Sequence, residues 1–405
     1  MPEGPRHVAA AGADALLWPR EEGELVTVGC YVARRRPETE SDGGLAALAL
    51  RSAARGAAGL DASGLALAFE RLGGVLTPMA GADVVGFGVT VLAEHLAEAA
   101  ALIGCVVREP AFRRDDVGRE HALLLTEAEQ LRDDMARWPM RLALGAAFGE
   151  RGYGLPAGGT PESLARLDGA GASAWYRATF ATRRTLVVAG RFEAARASEM
   201  LVRELAGPDV AAGDGHGPEW DRLPAAQREQ VERREKAQTA IAMIAPGPGR
   251  RDPARYAAET WAAIAGGLGG RMFEALRSAR SLAYTVSAGS FQRRFAGGLT
   301  AYIATSPSRE EEARTGLTAE LERFRMAPPT PEELTRATAY LAGQATIARQ
   351  RTSALASEML DAWLIGEGLE QLRDPAAGYR AVTREAVMRV ASRIGEGAWG
   401  VVRGG

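Results

Sequence analysis

The chain has few of the residues that build disulfide frameworks or metal sites. Its 405 residues include two cysteines and four histidines. Cys30 and Cys105 both lie in apolar surroundings without a neighbouring histidine or cysteine, so we expect small buried side chains rather than a disulfide, a metal site or a nucleophile. No pair of histidines has the one-turn or short-loop spacing of a zinc site. The histidines are His7, His95, His121 and His216.

The chain also has no large excess of one charge sign and no long apolar run. Lys and Arg total 49 against 51 Asp and Glu, a formal charge of −2, so no basic excess indicates a nucleic acid or a membrane surface as partner. The longest apolar run, near Ala99–Val107, is too short to span a bilayer. The first 22 residues have no apolar segment behind a basic start, so we expect no signal peptide. These absences predict a soluble, cytoplasmic protein.

The length and one shift in composition predict two domains. A chain of 405 residues is too long for one ordinary core. The segment Ala206–Glu229 is rich in Gly, Pro, Asp and Ala and has no sustained periodicity, which is typical of a linker. We therefore predict domains at residues 1–205 and 230–405, joined by a linker at 206–229.

The two halves contain strands and helices in the same order. The first is predicted to contain strands at 25–33, 75–79, 84–92 and 185–190, and helices at 44–57, 63–72, 93–108, from 115 onward and up to 180. The second is predicted to contain strands at 239–245, 283–293, 299–305 and 399–402, and helices at 255–266, 271–280, 308–325, after an N-cap at Thr330, and at 384–394. This order predicts an α+β fold of two homologous domains, each an antiparallel sheet covered by helices on one face.

Two stretches carry a resemblance to a known family. Gly44–Arg51 reads GLAALALR, and Phe273–Val286 reads FEALRSARSLAYTV. With the order of elements, they make nearly the whole chain resemble the insulinase and pitrilysin peptidases, which include mitochondrial processing peptidase. The resemblance implies that the chain is one half of a clamshell.

In that family the first stretch carries an inverted zinc motif, H-x-x-E-H, whose histidines bind zinc and whose glutamate activates water. Here the ligand positions hold Ala47 and Arg51, and the position of the water-activating residue holds Leu50. Glu127 matches the family's third ligand, and Glu120 its supporting glutamate. We expect no metal on this degenerate motif. Glu120 and Glu127 are then solvated helix carboxylates, or Glu127 pairs with Arg51.

The second stretch fits the family pattern L-R-x-x-x-x-L-[GA]-Y. By the resemblance, Arg277 holds the main chain of a peptide substrate, and the Tyr284 hydroxyl donates to the oxyanion that forms when the peptide bond is attacked. From the residues alone, Arg277 could instead complement a helix C-terminus and Tyr284 could be an ordinary strand aromatic.

The resemblance predicts a subunit without zinc in a heterodimeric zinc metalloendopeptidase. The partner is a homologous subunit that bears H-x-x-E-H and holds the zinc; this chain binds no cofactor and is inactive alone. The substrate is an unstructured peptide, captured partly as an added strand on the partner's sheet edge. Some relatives, the core proteins of respiratory complex III, are scaffolds, so a scaffold or peptide-binding subunit is the alternative. A homodimer of the isolated chain stays open.

Overall fold

The structure, a computed structural model, describes residues 4–210, 229–267, 269–278 and 282–405. The chain divides into two compact units. The first consists of residues 1–129, 156–216 and 348–374, and the second of residues 130–155, 217–347 and 375–405. Most of the predicted linker at 206–229 lies outside the described residues.

The first unit is built on a six-stranded sheet in the order β1-β2-β6-β3-β5-β4. The β2–β6 pair is parallel and the other pairs are antiparallel. The strands are β1 (Arg6–Ala10), β2 (Ala13–Pro19), β3 (Leu25–Ala33), β4 (Thr77–Ala80), β5 (Val84–Leu92) and β6 (Arg184–Gly190).

The central strands of this sheet are apolar on both faces, because both faces are covered by helices. In β2, Leu17 enters the larger core, whereas Leu16 and Trp18 enter a second core on the opposite face. The helices of the first unit are α1 (Leu45–Ala53), α2 (Ala62–Arg71), α3 (Leu96–Arg108), α4 (Arg114–Asp133), α6 (Pro161–Leu164), α7 (Gly169–Phe180), α8 (Ala194–Leu205) and α12 (Thr352–Leu364).

The second unit repeats this sheet with five strands in the order β7-β11-β8-β10-β9. Again one pair, β7–β11, is parallel and the others are antiparallel. The strands are β7 (Glu229–Arg233), β8 (Thr239–Gly247), β9 (Thr285–Gln292), β10 (Gly297–Thr305) and β11 (Ala398–Arg403). By position in the two sheets, β8 corresponds to β3.

Helices also cover both faces of the second sheet. One face carries a core around Trp261, and α5 packs on the opposite face against β8 and β11. The approach of α5 is close, since a Cβ added to Gly400 in β11 would lie 2.0 Å from the carbonyl oxygen of Pro139. The helices of this unit are α5 (Trp138–Phe148), α9 (Arg255–Gly266), α10 (Glu310–Met326), α11 (Pro331–Ala348), α13 (Ala377–Arg380) and α14 (Arg384–Ala391).

Each half of the chain therefore contributes one helix to the unit built mainly from the other half. Residues 130–155, with α5, belong to the second unit, and residues 348–374, with α12, belong to the first. The predicted domain limits, 1–205 and 230–405, place each of these two helices with the half of the chain in which it lies. Neither α5 nor α12 was predicted, because which sheet a helix covers is decided by packing between segments far apart in sequence.

The predicted fold class, α+β with two homologous sheet-and-helix domains, is confirmed, with a parallel strand pair and a second covered face in each sheet. Thr330 caps α11 as predicted, since its Oγ1 accepts from the Glu333 amide at 3.2 Å. The helix predicted at 271–280 is instead a π-helical segment, Phe273–Ser278, within the described residues. In the described part of the chain, no helix is both long and apolar enough to cross a membrane.

Candidate functional site

The start of α1 is fixed by a buried carboxylate and by close glycine packing. Glu38, 5% exposed, accepts hydrogen bonds from the backbone N–H of Gly44 at 3.3 Å and of Ala46 at 3.1 Å. Its Oε1 also lies 3.3 Å from the guanidinium of Arg34. Gly44 has a left-handed φ of 86°, and a Cβ there would lie 2.7 Å from the carbonyl oxygen of Gly158. A charged carboxylate at a helix N-terminus is favourable, so α1 begins at a defined place.

Two of the three α1 positions that the resemblance assigns to the zinc motif face the core. Ala47 and Leu50 are both buried in the larger apolar core of the first unit. Neither side chain has an atom that binds a metal or accepts a proton. The position that the resemblance assigns to the water-activating residue, Leu50, therefore holds an ordinary core side chain.

The third position, Arg51, forms a two-pronged ion pair with Glu127 on α4. Its Nη1 and Nη2 donate to the two carboxylate oxygens at 2.8 and 2.7 Å. The pairing that the sequence suggested is thus present, although the side chains are 32% and 50% exposed rather than buried. The hydrogen bond from Arg51 lowers the pKa of Glu127, and the same bond raises the pKa of Arg51.

A second pair, which sequence reasoning missed, lies beside the first. Nε of Arg55 donates to Oε1 of Glu120 at 2.5 Å, and the Glu120 side chain is only 3% exposed. The available signal was spacing, because Arg55 lies four residues after Arg51, in the turn just past the end of α1, and Glu120 precedes Glu127 by two turns on α4. Two guanidinium–carboxylate pairs therefore join α4 to the last turn of α1 and to the turn that follows it.

The residues at these positions do not fit a zinc ion. Glu120 and Glu127 are both bonded to arginines, and a cation would have to displace a guanidinium to reach either carboxylate. Within the described ranges, no group of three His, Cys, Asp or Glu side chains is arranged to hold a metal. These side chains instead form the two ion pairs Arg51–Glu127 and Arg55–Glu120, which we call the ion-pair clamp.

A cavity of about 420 Å³ lies beside the clamp. It is lined by α1, α2, α4 and the segment before β4, and Arg51, Phe69 and Leu123 contribute to its wall. Pro78 lines it from β4, the edge strand of the sheet. Gly81 pairs with Val84 through a backbone hydrogen bond of 2.9 Å. Since the backbone groups of successive residues alternate between the two edges of a strand, the backbone nitrogen of Pro78 points away from β5. There it offers no N–H to an added strand.

Arg277 and Tyr284 lie in the second unit. Arg277 is exposed near the end of the π-helical segment, with its guanidinium carbon 4.9 Å from the centre of the Phe273 ring. Tyr284 is 67% exposed and directly precedes β9, the edge strand of the second sheet. Its backbone N–H donates to the Ala304 carbonyl at 3.1 Å. In the part of the chain that the structure describes, neither the guanidinium of Arg277 nor the phenol of Tyr284 has a hydrogen-bond partner. Both can therefore reach a ligand.

The sequence profile described as "Peptidase M16 inactive domain" matches residues 173–341. An uncharacterised zinc protease of Mycobacterium leprae is 28% identical over 252 residues, a match that covers 60% of this chain and 56% of that protein. This chain thus spans little more than half the length of that relative.

Two solved structures have the same fold along nearly the whole chain. The peptidase M16 inactive domain from Pseudomonas fluorescens is 19% identical, with a TM-score of 0.85 and coverage of 99% of this chain and 98% of that one. A chain of Complex III2 from Candida albicans is 16% identical, with a TM-score of 0.81 and coverage of 98% and 95%. Residues 173–341 match the inactive domain of the peptidase M16 family and the curated relative is called a zinc protease, in agreement with the resemblance to the insulinase and pitrilysin peptidases.

Proposed function

We propose that this protein is the subunit without zinc in a two-subunit zinc metallopeptidase. The observation that carries the proposal is the state of the first helix, where Ala47 and Leu50 are core residues and the fork of Arg51 occupies Glu127. Such a helix neither binds zinc nor activates water. In this proposal a homologous subunit with H-x-x-E-H holds the zinc and makes the attacking water.

The contribution of this chain is the pair Arg277 and Tyr284. Both side chains are exposed, and neither is engaged by a hydrogen bond within the described residues, which supports a role towards a ligand. A phenol donates one hydrogen bond, which suits the oxyanion that develops on the attacked carbonyl. A guanidinium donates from a fork, which suits the carbonyl groups of an extended peptide main chain.

The substrate in this proposal is an unstructured peptide that adds as a strand to the sheet of the zinc-bearing partner. The outward-facing Pro78 of β4 supports this assignment, because this chain's own first sheet lacks an edge donor there. The cytoplasmic location stays a prediction.

The proposal is tested by mixing the purified chain with a homologous H-x-x-E-H subunit and measuring hydrolysis of a quenched fluorescent peptide. We expect no stoichiometric zinc and no hydrolysis for this chain alone, and hydrolysis for the mixture. Tyr284→Phe is expected to lower kcat by about 10²–10³, the usual effect of removing one oxyanion donor. Arg277→Ala is expected to raise KM, since its contact is made with the bound main chain.

A matched control is Tyr340→Phe, which removes the hydroxyl of another exposed tyrosine, 59% accessible, on α11. It should leave hydrolysis unchanged. Full activity of the mixture with both Tyr284→Phe and Arg277→Ala would show that the assignment is wrong. Zinc bound by this chain alone would have the same consequence.

A scaffold subunit is the second candidate, and the likeness to a chain of Complex III2 favours it. In that case the chain has a structural partner and no part in hydrolysis. Affinity purification from the native cells separates the two. A co-purifying homologue that also lacks H-x-x-E-H supports the scaffold, and one that has the motif supports the peptidase.

A further inference from the structure

The guanidinium of Arg277 lies on an aromatic ring of its own segment. Its carbon is 4.9 Å from the centre of the Phe273 ring, four residues earlier in the π-helical segment Phe273–Ser278. Glu274, three residues before Arg277, is also exposed, yet no ion pair joins the two within the described residues. Opposite charges at this spacing stabilise α-helices when they pair. The ring therefore orients this arginine where a carboxylate could have done so.

The ring itself is held by the fold. Met272 and Leu276, on either side of Phe273 in the chain, are fully buried. Phe273 is half-buried and packs against the core of the second unit around Trp261. The hydrogen bonds of a π-helical segment join residue i to residue i+5, which widens the turn and brings side chains four residues apart almost directly above one another. The exposed guanidinium of Arg277 thus contacts a ring whose position is fixed by the core.

A second arginine in this region has the opposite arrangement. The guanidinium carbon of Arg271 lies 4.7 Å from the centre of the Phe324 ring, but its Nε and Nη2 also donate to the two carboxylate oxygens of Glu333, at 2.7 and 2.5 Å. Its Nη1 donates to the carbonyl oxygen of Ala327 at 3.3 Å. All three nitrogens of Arg271 are therefore engaged inside the second unit, whereas no hydrogen bond from the guanidinium of Arg277 is found in the described part of the chain.

This difference decides which arginine is prepared for a ligand. A carboxylate orients an arginine by accepting from its N–H groups, whereas an aromatic face orients it without accepting any of them. An arginine on a ring therefore keeps all its donors for an incoming acceptor, and it has already lost part of its conformational freedom. Both properties favour the binding of main-chain carbonyl groups.

We propose that Phe273 is the positioning residue for Arg277. The ring does not contact the peptide; it holds the guanidinium in the orientation in which the guanidinium contacts the main chain of a bound peptide. The inference rests on the proposed function, which makes Arg277 a ligand-binding residue. A contact of this kind at an exposed site changes an equilibrium constant by a factor of about two to five, and here it acts on substrate binding rather than on the chemical step.

The first measurement is peptide hydrolysis by the mixture of this chain with an H-x-x-E-H subunit. Phe273→Leu keeps an apolar side chain but removes the ring, so we expect it to raise KM about two- to fivefold and to leave kcat unchanged. Phe273→Trp keeps an aromatic face and is expected to have the KM of the wild type. A merely structural role predicts the reverse order, because leucine fits the half-buried place of Phe273 better than the larger tryptophan.

A double variant with Phe273→Leu and Arg277→Ala separates positioning from packing. If the ring acts through the arginine, the KM of the double variant equals that of Arg277→Ala alone. The matched control is Phe295→Leu, because Arg294 lies over the Phe295 ring at the same distance of 4.9 Å, at the far end of β9 from Tyr284. It should leave both KM and kcat unchanged.

The second measurement needs neither the partner subunit nor hydrolysis. In the chain alone, labelled with isotopic arginine, the Cδ proton NMR signal of Arg277 is identified by its absence from Arg277→Ala. We expect this signal upfield of those of other exposed arginines, because it lies in the ring current of Phe273, and we expect Phe273→Leu to remove the shift.

Three results would overturn the proposal: no upfield shift in the wild type, a higher KM for Phe273→Trp than for Phe273→Leu, or an effect of Phe273→Leu that persists in the Arg277→Ala background. An upfield shift without any hydrolysis by the mixture would contradict the proposed function and not the orientation of Arg277. The two failures are therefore distinguishable.

Discussion

At the scale of single residues, the pair formed by Arg55 and Glu120 combines a half-exposed cation with a buried anion. The two side chains are 48% and 3% exposed. Removing the arginine leaves the carboxylate buried without its partner, which costs more than the pair itself contributes. We expect Arg55→Ala to lower the free energy of unfolding by about 1–3 kcal/mol in urea titrations.

The control for that change is Arg373→Ala, whose pair with Glu370 is exposed on both sides. It should alter stability by under about 0.5 kcal/mol. A double variant with Glu120→Gln should recover much of the loss, since the buried charge is then gone. Equal stability of Arg55→Ala and wild type would mean that water already satisfies Glu120.

The contribution of the neighbouring Arg51–Glu127 pair to the free energy of unfolding depends on pH, and it decreases as the pH falls. The hydrogen bond from Arg51 holds the pKa of Glu127 below its ordinary 4.5. Above that value the carboxylate is ionised in both the folded and the unfolded chain, and the pair contributes fully. As the pH falls, the unfolded chain takes up the proton first, so the contribution is lost.

We therefore expect wild type to exceed Glu127→Gln in stability at neutral pH, by under about 1 kcal/mol because the pair is half exposed. The difference should disappear in acid, below the folded pKa. Urea titrations of both proteins across this range measure it directly. A difference that grows as the pH falls would contradict the assigned partner.

At the scale of elements, α12 stabilises a sheet built from the other half of the chain. Its Met359 is fully buried in the second core of the first unit, with Leu16 and Val187 of the sheet. Removing most of that side chain leaves a cavity as well as losing apolar contacts. We expect Met359→Ala to lower the free energy of unfolding by about 2–5 kcal/mol.

The comparison is Met326→Ala at the end of α10, where the methionine is 82% exposed. It should change stability by under about 0.5 kcal/mol, since no packing is lost. Both are measured by chemical unfolding of the full chain. A small effect at Met359 would show that α12 is dispensable to the sheet that it covers.

At the scale of the whole molecule, one sheet topology appears twice, with different polar side chains around it. Both sheets have the same strand order and the same single parallel pair, apart from the additional edge strand β1. In the first unit, Arg51 pairs with Glu127, and the Glu38 carboxylate accepts from two backbone N–H groups at the start of α1. In the second unit, the exposed side chains of Arg277 and Tyr284 make no hydrogen bond within the described residues. The difference lies in a few polar side chains and loop lengths rather than in the backbone plan.

Local patterns in the sequence were enough for much of the fold. The run LVTVGCYVA predicted β3, with the same bounds as observed, and a Gly-Ala-Asp turn separated β4 from β5. The run Pro328–Pro331 predicted the break before α11, where Thr330 makes its cap. These features depend on neighbours within a few residues, which is why a single sequence contains them.

The sequence by itself determined the fold class and the resemblance to the peptidase family, and it named Ala47, Leu50, Arg51, Arg277 and Tyr284 as the positions to inspect, because each of these follows from residue type at a fixed spacing. Only the tertiary structure decided that Arg55 bonds to Glu120, that Glu38 closes the start of α1, and that α5 and α12 cover sheets of the opposite half. Those contacts join segments far apart along the chain. Their free energy comes from burial and charge pairing across the fold, which no local pattern encodes.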